Sequence, residues 1–406
     1  MSVIEANQDS EKAVKAVSAL TSINMSVAVN RSVELFKSPQ SGLDYSSVFT
    51  AIFKDKNGPK VLEESLKGQK IDSSIALLGV QRANTVGRDL SSLVAVLNKA
   101  GDLKPMKQNL SAEEMAALVK AVREKGDPHL GENIYRKQSI ACINCHAIGG
   151  AGPKIGPDLV SIGASAPVDY LIESILQPSK KIKEGYHMTM VTTNDGKMIA
   201  GSEVSANDKV VIIRDALGKE QKIPSRMIKS KYVNPMSMMP PGLASSLSEE
   251  EFIHMIAFLS ELGKDGDFKM SNKRYVRTFD VADEKISKRN WEQLEKLTYK
   301  TALTKVDASL PIKDKSLFPN ANPVIKFDLK VIKEGQLTFK FSDINGITTY
   351  KTSREKFQTD PVKNTATVKV NKGDMSIVLL LDKKFKAEDL KVQVFEPETN
   401  ALIKLQ

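Results

Sequence analysis

The stretch ACINCHAIGGAGPKIGPDL, Ala141–Leu159, holds both cysteines of the chain, Cys142 and Cys145, with His146 directly after the second. Few chemistries use two cysteines three apart with a histidine beside them. A disulfide across two intervening residues would restrain little, because the loop-closure entropy of so short a loop is small. A thioredoxin-like redox pair needs a strand-to-helix turn, whereas GGAGPKIGP reads as an irregular loop. A tetrahedral zinc site needs four ligands, and His129, His187 and His254 show no paired histidine spacing to complete one.

The remaining reading is covalent c-type haem attachment. Two thiols on one helical turn reach the two vinyl groups of the porphyrin, and the adjacent histidine addresses the iron from the same side. Only this chemistry uses all three residues. The surroundings agree with it. DPHLGENIY, from Asp127, starts a helix with Gly131 and Tyr135 on one face. GPDL follows at Gly156–Leu159, and MSMMPPGL at Met236–Leu243 precedes SSLSEEEFIHMIAFLSELG. There Ser248 and Glu251 form a capping box. Phe252, Met255, Ile256 and Leu259 recur at helical spacing, with Phe258 beside them.

These features resemble class I cytochrome c: an N-terminal helix, CxxCH, GPxL, a Met-Pro loop and a closing helix. More specifically, CINCHAIGGAGPKIGPDLVSIGA, ILQPSKKIKEGYHMTMVTTNDGKMIAG and MMPPGL are similar to the haem-binding domain of large multidomain Planctomycetes and Verrucomicrobia proteins. The resemblance covers 126–264. It implies one covalent haem c held by thioethers at Cys142 and Cys145, with His146 as proximal ligand and Met239 as distal ligand. It also implies that the Pro157 carbonyl accepts from the free ring nitrogen of His146 and so orients it. Met236 and Met238 share the Met239 loop and are its alternatives; His187 and His254 are less favoured distal candidates. A β-rich insertion is expected over about 186–233, where HMTMVTT, KMIAGSEV and KVVIIRD alternate and Asn194-Asp195-Gly196 reads as a hairpin turn. Met188 and Met190 lie on that first strand, and one of them is expected to pack inward.

The flanks read differently. Residues 1–125 show only helical spacing, as in Val48-Ile52-Phe53 and Leu90-Leu93-Val94-Leu97, punctuated by KDKNGPK and NKAGDLKP. Short helices in pairs suggest a HEAT-like α-solenoid, with a plain bundle as the alternative. In 265–406 a short helical lead-in, WEQLEKLTYK, gives way to alternation in Ile325-Phe327-Leu329-Val331, Leu337-Phe339-Phe341 and Ile377-Leu379-Leu381. Such strands read as a C-terminal β-sandwich. The expected fold class is therefore multidomain α+β: a HEAT-like N-terminal domain, a cytochrome c domain with a β-rich insertion, and a sandwich.

The expected function is electron transfer, because His and Met on haem iron leave no open coordination position. In the resembling proteins such a domain often sits beside a propeller-type dehydrogenase. A partner dehydrogenase oxidising a sugar or alcohol is thus the expected electron donor, a small cytochrome another redox partner, and the chain itself reads as a non-catalytic electron-transfer protein or a fragment of an oxidoreductase. The rival reading is a haem-containing binding or sensor module for a glycan, a protein or a diatomic gas. Glycan contact would fall to the sandwich, although the sole Trp291 lies outside its strands. The net charge of +10 sits in the flanks, where lysines alternate with apolar residues as on a solvated sheet face, so no nucleic-acid partner is expected. Apolar runs such as Ile377–Leu381 fall far short of the roughly 20 residues that span a bilayer. Haem attachment points to a periplasmic or extracellular location. The opening MSVIEANQDSEKAV shows no export signal, so a mature or trimmed chain is expected.

Overall fold

The computed structural model describes residues 10–40, 43, 45–85, 89–103, 106–137, 140, 142–286, 291–351, 357–382, 384–395 and 403–405. It is a mixed α+β chain that divides into two compact units. The first comprises Met1–Cys145, Ile155–Pro157 and Ser165–Ser260; the second comprises His146–Lys154, Asp158–Ala164 and Glu261–Gln406. Among the described residues no helix is long and apolar enough to cross a membrane.

The first unit opens with helices α1 (Ser10–Leu20), α2 (Met25–Lys37), α3 (Ser46–Lys54), α4 (Gly58–Leu66), α5 (Ser73–Thr85) and α6 (Ser91–Ala100). Local signals set their starts: the Asn24 side chain accepts from the Val27 N–H ahead of α2, and Pro59 occupies the first turn of α4. Each helix touches its sequence neighbour in the pairs α1/α2, α3/α4 and α5/α6. Contacts also run from α1 to α3 to α5 and from α2 to α4 to α6. The result is three hairpins stacked in two layers. Val17, Val29, Phe36, Phe49, Ile52, Leu62, Leu93 and Leu97 are buried in their common core, where the Phe36 and Phe49 rings stack at 4.8 Å.

Helix α7 (Ala112–Lys125) begins at a capping box, in which Ser111 Oγ accepts from Glu114 N–H and the Glu114 carboxylate accepts from Ser111 N–H. Helix α8 (Pro128–Tyr135) follows, capped by Asp127, which accepts from His129 and Leu130 N–H. After the short α9 (Ile162–Ser165), α10 (Val168–Leu176) packs on α7. An antiparallel sheet comes next, with strands β1 (His187–Thr193), β2 (Met198–Ala206), β3 (Val210–Arg214), β4 (Glu220–Pro224) and β5 (Ile228–Ser237) in the order β4-β3-β2-β1-β5. Helix α11 (Glu249–Glu261) closes the unit.

The expected insertion is thus a sheet, with two differences. It runs on to Ser237, so β5 leads directly into the methionine loop. Met188 and Met190 are both half-buried, and the buried positions of β1 are instead Thr189, Val191 and Thr193. The reason is the two-residue period of a strand: residues two apart share a face, so Met188 and Met190 cannot alternate in and out.

The second unit is a sandwich. Strand β6 (Thr278–Asp283) precedes α12 (Trp291–Glu295), and β7 (Lys300–Leu303), β8 (Leu310–Pro311), β9 (Pro323–Val331), β10 (Gly335–Phe341), β11 (Ile347–Lys351) and β12 (Gln358–Asp360) follow. β13 (Thr365–Val370), β14 (Gly373–Leu381), β15 (Asp389–Leu390), β16 (Val392–Phe395) and β17 (Ile403–Leu405) complete it. One sheet runs β12-β13-β10-β16 and the other β11-β14-β9-β6-β7, with β17 also on β9. Alternate residues of both sheets meet in the core. Phe327 lies edge-on to Phe279 at 5.8 Å and to Phe339 of the other sheet at 5.9 Å. The opposite side of β9 and β14, with Val324, Val378 and Leu380, packs against Leu294 of α12. The helical lead-in therefore packs over the sheet, and it is preceded by β6, a strand that the sequence reading did not name.

Because Phe327 joins the two sheets, Phe327→Ala is expected to destabilise the chain by about 3–5 kcal/mol in urea unfolding. Val362→Ala, at a position 93% exposed, should change stability by less than about 0.5 kcal/mol. Equal effects of the two would contradict the core assignment.

Candidate cofactor site

Cys142 and Cys145 lie at a 3₁₀ turn, Cys142–Asn144, closed by a hydrogen bond from Cys145 N–H to the Cys142 carbonyl at 3.2 Å. Both are free and partly exposed as residues. Burial at the sulfur, then the neighbouring Cys145, push the Cys142 thiol up to about 12. Burial also raises Cys145. Redox-active pairs depend on a lowered thiol pKa, so the electrostatics here are opposite to those of a thioredoxin-like site. The Gly156 N–H donates to the Cys145 carbonyl at 2.7 Å, which brings the residue before Pro157 onto the cysteine turn within the first unit. His146 is joined to Cys145 by one peptide bond and begins the second unit, where the Leu159 N–H donates to the carbonyl of Ala147 at 2.9 Å.

Met239 belongs to the first unit, in the loop after β5. It is half-buried, and its N–H donates to Ser237 Oγ at 3.1 Å. Gly242, at φ 83°, supplies the left-handed residue that turns this loop into the 3₁₀ turn Leu243–Ser246. Met236 stands out on β5, 57% exposed, whereas Met238 is half-buried like Met239. Burial sets Met236 apart and leaves Met238 and Met239 alike.

Helices α8 and α11 cross closely above these loops in sequence. A Cβ on Gly131 would come 2.0 Å from the His254 carbonyl oxygen and 2.7 Å from Phe258 Cβ. One turn on, the buried Tyr135 and Phe258 rings meet at 5.5 Å. His254 Nδ1 accepts the Asp127 N–H at 2.9 Å. That nitrogen is therefore committed to the start of α8, which removes the distal-ligand alternative at His254 through Nδ1. No sequence pattern announced this contact between residues so far apart. The expected capping box is present, with Glu251 N–H to Ser248 Oγ at 3.1 Å and Ser248 N–H to Glu251 Oε2 at 3.0 Å. Lys137 adds an ion pair to Glu251 at 2.6 Å, and Arg136 pairs with Glu132 of its own helix at 2.8 Å with both side chains largely buried. The sequence reading passed over these pairs; the (i, i+4) spacing of Glu132 and Arg136 was the available signal.

Among the described residues, no group of three or more His, Cys, Asp or Glu is placed to hold a metal ion. A haem would call for no such group, because the four equatorial donors of its iron come from the porphyrin. The chain must then supply one imidazole, one thioether and two free thiols, and residues of those types stand in the motif and in the loop after β5. A cleft of about 860 Å³ in the first unit, lined by Leu77, Leu103, Met106, Leu118, Leu247 and others, includes none of the five sequence-predicted residues.

No protein-family model matches the chain, and no curated protein matches it significantly.

Gly131 opposes two effects. Helix propensity favours alanine by about 1 kcal/mol, whereas the clash with the His254 carbonyl costs about 3 kcal/mol. Gly131→Ala is therefore expected to lower stability in thermal or urea unfolding, and a neutral or stabilised variant would contradict the close crossing.

Proposed function

We propose that the chain is a c-type cytochrome that carries electrons between redox partners. The observation that carries this reading is the pair of free thiols, one opening the 3₁₀ turn Cys142–Asn144 and the other directly after it, with His146 as the next residue. When bound, the haem supplies a one-electron ferric/ferrous couple. Cys142 and Cys145 would hold it covalently, and His146 would supply an imidazole to its iron. The Pro157 carbonyl orients that ring by accepting its other nitrogen's proton. The Met239 thioether would supply a second ligand to the iron and so exclude water and small ligands. The close packing of Tyr135 and Phe258 between α8 and α11 supports a closed helical wall for such a domain.

The flanks fit an assembly role. The stacked hairpins of α1 to α6 support the HEAT-like reading, since contacts between every second helix are how a solenoid forms a continuous core. A partner dehydrogenase acting on a sugar or alcohol is the proposed electron donor, and the proposed compartment is the periplasm or the cell exterior, where haem is attached to CxxCH. The C-terminal sandwich is proposed to contact that partner or a glycan.

Replacing Met239 gives the sharpest test. In haem-loaded protein, Met239→Ala is expected to abolish the weak near-infrared band of ferric thioether ligation and to allow carbon monoxide to bind the ferrous form. Met236→Ala, on the exposed strand, should leave both properties unchanged. Rapid carbon monoxide binding by the wild type would overturn the electron-carrier reading in favour of a gas sensor. Cys142→Ala should retain a single thioether, and loss of both cysteines should leave little stable holoprotein.

A further inference from the structure

The loop after His146 is held by residues that the haem reading does not use. Ile148 and Ala151 pair with each other, Ile148 N–H to Ala151 O at 3.0 Å and Ala151 N–H to Ile148 O at 3.3 Å. Between them Gly149 and Gly150 both have positive φ, 63° and 78°. Two consecutive left-handed residues inside such a pair make a tight turn that only glycine adopts without strain. The Asp158 carboxylate grips this turn. Its Oδ1 accepts from Gly149 N–H at 2.9 Å and from Val160 N–H at 2.9 Å, and its Oδ2 accepts from Gly150 N–H at 2.6 Å.

Met270 covers the other side: a Cβ on Gly149 would lie 1.7 Å from its sulfur. Gly152, at φ 120°, is pressed against the base of the loop. Its Cβ position lies 3.1 Å from the His146 carbonyl oxygen, 3.1 Å from Ala147 Cα and 3.3 Å from Leu303 of β7. With the Leu159 N–H on the Ala147 carbonyl, the backbone on the C-terminal side of His146 is fixed at several points. All of these groups belong to the second unit.

We propose that Asp158 and Met270 are positioning residues for His146, fixing the backbone that carries the proposed haem ligand. This deepens the haem reading and rests on it. The direction of an imidazole follows from the placement of its own backbone and from its side-chain torsions. The backbone that follows His146 runs into a turn whose Gly149 and Gly150 amides are held by Asp158 and whose Gly149 lies against the Met270 sulfur. A loosened turn lets the ring tilt and donate less to ferric iron, which favours the ferrous state and raises the midpoint potential.

The test uses the full chain loaded with haem, comparing Asp158→Ala and Met270→Ala with the wild type and with Val362→Ser, an exposed position of the same unit. In Asp158→Ala the amides of Gly149, Gly150 and Val160 are expected to exchange about fivefold faster or more, as each loses a hydrogen bond. In both variants the paramagnetically shifted His146 ring resonances should move and the midpoint potential should rise, with covalent haem content unchanged. Val362→Ser should match the wild type. Asp158→Asn keeps an acceptor for Gly149 and Val160 but turns an amide group toward the Gly150 N–H, and should fall between; it carries the same comparison should Asp158→Ala fail to fold. Wild-type resonances and potential in fully loaded Asp158 and Met270 variants would overturn the positioning role and leave the haem reading standing. A wild-type chain that takes up no covalent haem would overturn that reading, and the positioning role with it.

Discussion

Helices α8 and α11 meet at a point where there is room for a hydrogen atom and nothing larger. Gly131 lies against the backbone of His254, and this approach brings Tyr135 onto Phe258 and the Asp127 N–H onto the His254 ring. The contact joins chain segments more than a hundred residues apart in sequence, one leading into the cysteine turn and the other following the methionine loop. Backbone approach of this kind is steep in its distance dependence, so it fixes the axial position and rotation of both helices. The Ser248–Glu251 box and the Lys137–Glu251 pair then reinforce the same junction from the helix end. The exposed ion pair contributes little alone, whereas a buried aromatic pair of this kind contributes about 0.5–1.5 kcal/mol beyond its buried area.

Local chain geometry accounts for the rest of the proposed chemistry. Cys142, Cys145 and His146 need no long-range contact to be close, because the 3₁₀ turn Cys142–Asn144 separates the two cysteines and His146 follows the second by one peptide bond. What the fold adds is restraint on either side of that turn: Gly156 on the Cys145 carbonyl in the first unit, and the Asp158-held glycine turn in the second. The glycines of GGAG thus have a physical reason. All three have positive φ, and the third, Gly152, is also tightly packed against the carbonyl of His146.

Much of this was legible in the sequence, for reasons that differ by element. The motif and the strands His187–Thr193, Met198–Ala206 and Pro323–Val331 were readable because spacing and alternation report directly on local geometry and on a half-buried sheet face. Strand β5 was not read as a strand, since IKSKYVNPMS lies at a sheet edge, exposed over most of its length, and burial imposes no alternation there. Strand β6 escaped because it precedes the α12 lead-in and pairs with β9, more than forty residues later. The stacking of α1 to α6 could be suggested but not read, as contacts between every second helix leave no fixed sequence period here. The His254–Asp127 bond and the Met270 cover over Gly149 had no sequence signal, because each joins a common residue type to a distant backbone.

The central claim is covalent attachment of haem at Cys142 and Cys145, and the intact mass of the chain after denaturation in acidified organic solvent tests it most directly. The account predicts the mass of the polypeptide plus one haem, with no pigment released to the solvent. A chain at its bare polypeptide mass, with haem extracted or never bound after expression alongside the attachment machinery, would contradict it.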